Sequence, residues 1–149
     1  TTPNGYLSDY LQWGTLLAQA MQQECDAYIS AQALMDTTTR QTEITTTAYA
    51  DSEKEYQLLI WLTEDSIVGA QAMPDGSVNT HYYHQHVLRA TSKDIWGTNW
   101  VLNATPTQRT YTLAIPDKCK IENCHIITLL LHKETKEILN AAQTKLTPK

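Results

Sequence analysis

Three histidines in the middle of the chain are the residues whose types and spacing most suggest chemistry. His81, His84 and His86 fall within one short stretch. If residues 82–89 form one strand, His84 and His86 lie on the same face as Tyr82, because side chains two positions apart share a face. Two imidazoles at that spacing can bind a metal ion, and His or Tyr can also ligate haem iron.

A structural role is the competing interpretation of the same histidines. Leu88 continues the face of His84 and His86, which indicates that this face turns inward at the end of the strand. The spacing indicates no Cys or carboxylate partner for these imidazoles. The sequence therefore favours hydrogen-bonded imidazoles on a half-buried sheet face, with no metal and no cofactor. His81, His84 and His86 stay the candidates if a metal or haem is bound.

Signatures of catalysis are absent from the sequence. It has no Gly-x-Ser-x-Gly nucleophile elbow, and its five glycines are too scattered for a Gly-rich phosphate-binding loop. Glu53, Glu55, Glu64 and Asp65 lie at expected strand ends, where carboxylates are usually solvated. Arg89 also lies at a strand end, where an arginine usually pairs with a carboxylate. We therefore expect no catalytic residue and no enzymatic activity.

Trp96-Gly97 and Trp100 follow the histidine stretch and permit two interpretations. The indoles could form an exposed aromatic patch for a protein or glycan partner. Indoles that are buried and anchor a loop are the commoner arrangement. The sequence favours buried indoles.

The chain has three cysteines, Cys25, Cys119 and Cys124, which is an odd number. An oxidising compartment would permit one disulfide and one free thiol. Cys119 and Cys124 have neither a second cysteine pair nor a histidine pair to complete a zinc site. Buried, weakly reactive cysteines are the favoured interpretation, and a bridge between Cys119 and Cys124 is the alternative.

Composition and charge narrow the class of protein. A chain of 149 residues with 42% hydrophobic and 18% charged residues can form one globular domain with its own core. The net charge of -5 and the lack of Lys and Arg clusters argue against nucleic-acid binding. The longest apolar runs, residues 58–62 and 126–131, are too short to cross a bilayer.

Hydrophobic periodicity predicts one helix followed by strands. Apolar residues from Tyr10 to Met21 recur every three or four positions, which predicts an amphipathic helix with Ser8 as its N-cap and an end near Cys25. After Asp26 the period is two. Strands are expected at residues 28–35, 42–50, 55–64, 82–89, 111–115, 126–132 and 137–143. Strands joined by turns, without intervening helices, predict a mainly β fold built as a mostly antiparallel β-sandwich.

Several segments carry a family resemblance: residues 58–71, the stretch 84–89 with Trp96-Gly97, and the closing segments 123–127 and 137–142. Together they resemble the C-terminal half of the Bacteroidetes 28-kilodalton outer-membrane lipoprotein family. The resemblance implies an immunoglobulin-like β-sandwich over residues 26–149. It also implies that residues 1–25 are an N-terminal helix segment, the tail of a preceding thioredoxin-like domain. The Cys-x-x-Cys pair of such a domain is missing here, and Gln85 stands where family members often have Asn.

The same resemblance implies a non-enzymatic domain at the cell surface. Members are described as surface adhesins or receptors of the outer membrane, so binding to a protein or a glycan is expected, with no nucleic acid as partner. Membrane attachment is expected through a lipid anchor outside this chain. Two alternatives stay open: a surface protein that binds metal or haem through His81, His84 and His86, and an accessory domain to a thioredoxin-like redox partner.

Overall fold

The computed structural model describes residues 12–22, 24–92 and 96–149. Within these residues one α-helix precedes ten strands, so the expectation of a mainly β fold is confirmed. The elements are α1 (Trp13–Ala20), β1 (Ala27–Met35), β2 (Gln41–Ala50), β3 (Lys54–Glu64), β4 (Ile67–Ala72), β5 (Val78–His84), β6 (Val87–Thr91), β7 (Thr98–Leu102), β8 (Thr107–Ala114), β9 (Cys124–His132) and β10 (Ile138–Pro148), with a 3₁₀ turn at Ile121–Asn123.

The helix α1 covers the middle of the expected amphipathic helix. It ends at Ala20 rather than near Cys25, and none of its residues is buried. The expected N-cap, Ser8, lies outside the described residues. The packing of an apolar stripe and the assignment of residues 1–25 to a separate segment therefore stay predictions. Among the described residues, no helix is both long and apolar enough to cross a membrane.

Eight strands form one sheet that curls into two layers. In one layer β3 lies between β9 on one edge and both β6 and β7 on the other, and in the second layer β2 lies between β1 and β8. The last strand, β10, joins the layers, because it pairs with β9 from Ile138 to Lys145 and with β1 from Leu146 to Pro148. The remaining strands, β4 and β5, form a separate two-stranded sheet.

The pairing of β1 with β10 is the parallel exception among the described strand pairs, which are otherwise antiparallel. Ala33 to Met35 run in the same direction as Leu146 to Pro148, so the large sheet is mixed. Turn residues predict hairpins between consecutive strands. This pair instead joins the first strand to the last and leaves no local trace in the sequence. The immunoglobulin-like character of the fold stays a prediction.

The stretch 82–89, expected as one strand, is divided in two. β5 ends at His84 and β6 begins at Val87. Between them His86 adopts the left-handed region, with φ of 53°, which non-glycine residues adopt sparingly. The chain turns there from the two-stranded sheet into the large sheet, so alternation does not continue across residues 85 and 86.

The core lies between the two layers and follows the alternation of apolar residues in the sequence. Its most enclosed apolar side chains are Met35, Ile44, Tyr56, Leu58, Leu62, Leu102, Ile126 and Leu130. β3 and β9 are also apolar on their other face, as expected, where Leu59, Leu129 and Leu131 form a second buried cluster. Coverage on both faces explains why these two interior strands have nearly continuous apolar runs.

Tyr56 provides a test of the core. Within the described chain its buried hydroxyl has no hydrogen-bond partner, and burial raises the pKa of Tyr56. We expect Tyr56→Phe to leave the free energy of unfolding unchanged or to raise it by about 1 kcal/mol, because a desolvated, unpaired hydroxyl is removed. The matched control is Tyr111→Phe, since the Tyr111 hydroxyl lies 3.2 Å from Thr98 Oγ1, and its removal should cost about 1 kcal/mol. Urea unfolding measures both, and an equal cost in the two variants would contradict the prediction.

Candidate functional site

β4 and β5 form a two-stranded ribbon, residues 67–84, that stands apart from the large sheet. The two strands pair with each other from Ile67 and His84 to Ala72 and Val78. In the part of the chain that the structure describes, neither strand pairs with a third. Each therefore presents one edge with unpaired backbone N–H and C=O groups. Such an edge can accept an extended segment of another protein as an added strand.

The ribbon carries exposed apolar side chains on both faces. Val68 pairs directly with Tyr83, so these two share a face, and Tyr83 is 61% exposed. Val78 is 62% exposed and lies on this same face, because it pairs with Ala72 beyond a shift of register in the ribbon, whereas Tyr82 lies on the opposite face and is 39% exposed. Aromatic and branched aliphatic side chains gathered on one exposed element are typical of a contact surface.

Side-chain hydrogen bonds brace the two legs of the ribbon where they leave the large sheet. Ser66 and His86 have left-handed backbones, with φ of 59° and 53°. The backbone N–H of Ser66 donates to Gln85 Oε1 at 3.2 Å, and the backbone N–H of His86 donates to Asp65 Oδ1 at 2.6 Å. Each leg thus accepts a hydrogen bond from the other, which sets the direction in which the ribbon leaves the sheet.

The structure separates the three candidate histidines. His81 lies on one face of the ribbon, and His84 lies on the other, with its ring centroid 5.0 Å from that of Tyr82 in an edge-on arrangement. His86 lies beyond the break between β5 and β6. The expectation that His84 and His86 share a face is therefore wrong, because the backbone turns between them.

His86 instead meets a carboxylate that also meets a histidine from another strand. Nδ1 of His86 lies 3.2 Å from Oδ1 of Asp65, and Nδ1 of His125 lies 3.6 Å from Oδ2. His125 belongs to β9, which is the neighbour of β3 in the large sheet. The sequence carries no local signal for this contact, because His125 and His86 are brought together only by strand pairing.

A buried ion pair lies next to the base of the ribbon. Glu64 is 3% exposed, which corrects the expectation that it is solvated. Its Oε2 lies 3.3 Å from Arg89 Nε, and its Oε1 accepts a hydrogen bond from the backbone N–H of Lys120 at 2.8 Å. The expected pairing of Arg89 with a carboxylate is confirmed.

Cys119 and Cys124 are buried beside this ion pair. Arg89 Nε donates to Cys119 Sγ at 3.3 Å, and Cys124 Sγ donates to a backbone carbonyl at 3.2 Å. All three cysteines of the chain are free thiols. The alternative expectation of a disulfide between Cys119 and Cys124 is therefore wrong. Among the described residues, Glu64, Cys119 and Cys124 form the one group of three metal-type donors whose ligand atoms all lie within 4.8 Å of one another.

Arg40 holds the loop that carries Cys119. Its guanidinium donates to the backbone carbonyls of Ile115 at 3.2 Å, Pro116 at 2.8 Å and Cys119 at 2.9 Å. Three carbonyls bound by one planar guanidinium keep this loop against the large sheet. The position of the Cys119 thiol therefore depends on Arg40.

A cavity of about 310 Å³ lies between the ion pair and the start of the ribbon. It is lined by Glu64, Ser66, Ile67, Val68, Arg89, Lys118 and Lys120. Three of these side chains are cationic, so the rim of the cavity is basic around a buried carboxylate. The cavity reaches the buried cluster at Glu64 and Arg89.

The buried Cys124 thiol should make the folded state less stable as the pH rises into the alkaline range. Burial, with smaller contributions from Cys119 and Glu64, raises the pKa of Cys124 from 9.0 to about 12. The folded state holds this proton more tightly, so the stabilisation is complete below pH 9 and is lost as the pH rises towards 12. Through this group the free energy of unfolding should fall by about 1.4 kcal/mol per pH unit in that window. Urea unfolding between about pH 8 and 10.5 tests this, and Cys124→Ser, which does not titrate there, should show a correspondingly smaller slope.

Of the two tryptophans that follow the histidine stretch, Trp100 is a buried indole and Trp96 is an exposed one, so each fits a different one of the two interpretations of the sequence. Trp100 is buried, with the Arg109 guanidinium 4.9 Å from the ring centroid. Trp96 is exposed, and the Lys136 ammonium lies 5.8 Å from its ring centroid. The expectation of buried indoles is thus confirmed for Trp100 and wrong for Trp96.

Comparison with protein families and solved structures shows which proteins this chain is similar to. The family model described as outer membrane protein Omp28 matches residues 4–149. The crystal structure of a domain of the outer membrane lipoprotein Omp28 from Porphyromonas gingivalis is 20% identical, with a TM-score of 0.59. That match covers 85% of this chain and 93% of the other.

Two further structures share the fold. HBP35 of Porphyromonas gingivalis is 15% identical with a TM-score of 0.69, and the match covers 89% of this chain but 45% of that one. Spo0M, a sporulation control protein from Bacillus subtilis, is 9% identical with a TM-score of 0.56, and the match covers 83% of this chain and 49% of that one. At such identities the likeness shows the fold alone. The search of curated proteins found no match. Because the family model matches nearly the whole chain, this protein belongs to the outer membrane protein Omp28 family and is an outer-membrane protein.

Proposed function

We propose that the protein is a lipid-anchored, non-enzymatic binding domain at the cell surface, of adhesion or receptor type. The ribbon, residues 67–84, is the element that contacts the partner, and the partner is an extended segment of another protein. Membership of an outer-membrane family supports the location. The single observation that carries the binding role is a ribbon whose two outer edges pair with no other strand among the described residues and whose faces both carry exposed apolar side chains.

Edge pairing and apolar contact act together in this proposal. A strand added to the ribbon satisfies backbone N–H and C=O groups along its length, whatever the sequence of the partner. Val68, Val78 and Tyr83 on one face, or Tyr82 on the other, then supply selectivity. Complete burial of one such side chain contributes about 1.5–3 kcal/mol, so a few of them are enough for measurable binding.

Binding of the purified chain to immobilised fibronectin and collagen, and in parallel to a glycan array, tests the proposal. We expect binding to a protein surface and a loss of at least about tenfold in affinity for the double variant Val68→Thr with Tyr83→Thr, since about 1.4 kcal/mol corresponds to tenfold. Leu34→Thr is the matched control, because Leu34 is also an exposed apolar strand residue but lies on β1.

Three results would count against this function. Unchanged binding by the ribbon variant would exclude the ribbon as the contact. Binding to glycans alone would replace the protein partner with a sugar. Equal losses in the ribbon variant and in Leu34→Thr would indicate a general effect of surface polarity instead of a site.

A further inference from the structure

We propose that Glu64, Cys119 and Cys124 form a binding site for a thiophilic divalent cation of the zinc class. All three side chains are buried, and their ligand atoms lie within 4.8 Å of one another. Two thiolates and one carboxylate are donors that zinc accepts in tetrahedral sites, where water can take a fourth position. The site shares no residue with the three histidines that the sequence made candidates, and it is independent of the binding role proposed for the ribbon.

The carboxylate of Glu64 is already oriented for an ion. The backbone N–H of Lys120 donates to Oε1 at 2.8 Å and so fixes the plane of the carboxylate. The other oxygen, Oε2, is buried and accepts no hydrogen bond from the described residues, although Arg89 Nε lies 3.3 Å away as its ion-pair partner. A buried oxygen with an unused lone pair is costly. A cation between Oε2 and the two sulfurs supplies the missing partner.

Arg89 and Arg40 support the cysteine ligands. In metal proteins, residues that do not touch the metal often hydrogen-bond to its ligands in the same way. Arg89 Nε donates to Cys119 Sγ at 3.3 Å, and an N–H donor stabilises negative charge on a ligating sulfur. Arg40 binds the carbonyl of Cys119 at 2.9 Å and keeps the loop in place. Both thiols therefore lie on supported backbone rather than on a free loop.

The charges of the cluster balance with and without the ion. With protonated thiols, the Glu64 carboxylate and the Arg89 guanidinium cancel. When one divalent cation binds, the two thiols release two protons to solvent, and the ion, two thiolates, one carboxylate and one guanidinium again sum to zero. The site therefore accepts a cation without burying net charge, which would be expensive in a protein interior. The cavity of about 310 Å³ lined by Glu64 and Arg89 provides the route of entry.

The test is a titration of the purified chain, reduced and freed of metal under inert gas, with Zn²⁺ and separately with Cd²⁺. We expect one ion per chain, release of two protons per ion, and a thiolate-to-cadmium charge-transfer band in the ultraviolet. Since each displaced proton weakens binding about tenfold per unit of falling pH, the affinity should fall about 100-fold per pH unit. These readouts are independent of any partner of the ribbon.

Variants separate this site from adventitious thiol binding. Cys124→Ser and Glu64→Gln should each lower the affinity at least about 100-fold, whereas Cys25→Ser, at a half-buried thiol that donates to the carbonyl of Ala27, should leave it unchanged. Circular dichroism confirms that each variant is folded, and Glu64→Gln keeps the size of the side chain if Cys124→Ser does not fold. Failure of the reduced chain to bind either ion would overturn the proposal. The proposal would also be overturned if protein isolated from the outer membrane contained no metal and had a Cys119–Cys124 disulfide, which makes its mass two hydrogens lower than that of the reduced chain.

Discussion

Replacing Gly97 by alanine is expected to lower the free energy of unfolding by about 3–4 kcal/mol, combining a left-handed backbone penalty with steric overlap. Gly97 has φ of 72°, and an added Cβ would overlap the carbonyl oxygen of Leu58 and lie 2.8 Å from the carbonyl carbon. The backbone of Leu58 cannot retreat, because β3 pairs with β9 on one edge and with β7 on the other. Urea unfolding monitored by tryptophan fluorescence measures the loss.

Gly76→Ala is the matched control for Gly97→Ala. Gly76 also has a positive φ, 84°, but an added Cβ there meets no atom within 4 Å. Its cost should be the backbone penalty alone, about 1–2 kcal/mol. The difference between the two variants isolates the close approach of the loop to β3. Equal costs would show that the loop moves aside without penalty.

Replacing Arg89 by methionine is the second change with a large expected effect. Methionine keeps much of the length of the side chain but leaves the Glu64 carboxylate, whose side chain is 4% exposed, without a counter-charge. Loss of one partner from a buried ion pair costs about 3–5 kcal/mol. Chemical denaturation at neutral pH measures the cost. Arg109→Met is the control, because Arg109 is exposed. It donates to the carbonyl of Asn99 at 2.7 Å and lies 4.9 Å from the Trp100 ring centroid, so its removal should cost about 1–2 kcal/mol.

A double variant tests the reason for that loss. Glu64→Leu combined with Arg89→Met removes both charges, so we expect it to be more stable than Arg89→Met alone. If the double variant were instead less stable than the single one, the loss would arise from packing around the side chains. That result would exclude an unpaired carboxylate as the cause.

Strand positions in this chain were predictable wherever packing follows alternation. β1 was evident from apolar residues at every second position, β2 from its run of β-branched threonines, and β3 and β9 from runs that are apolar on both faces. These patterns reflect contact with the core directly, and the core is where the sequence and the structure agree. Leu58, Ile60 and Leu62 face inward, so the same alternation could also have placed Glu64 inside. The general rule that carboxylates at strand ends are solvated led to the opposite expectation.

The candidate site was less predictable, because its residues are assembled by distant pairings. Arg89 meets Glu64 through the pairing of β6 with β3, and Cys124 meets it through the pairing of β9 with β3. The turn at His86 depends on the Asp65 carboxylate, which accepts its backbone N–H. None of these contacts leaves a pattern in a short window of sequence. The histidines looked like one cluster because they are neighbours in the chain, and the turn at His86 separates them in space.

The place of β10 between the two layers has a consequence for when the protein can fold. β10 comes after the other strands that the structure describes, and it links β9 to β1, so the large sheet cannot close until residues 138–148 are present. Contacts between residues so far apart along a chain form slowly, on a scale of about milliseconds to seconds for β-rich domains. Folding of the large sheet is therefore expected to finish only after residues 138–148 have been made, and to be slow compared with that of a helical domain.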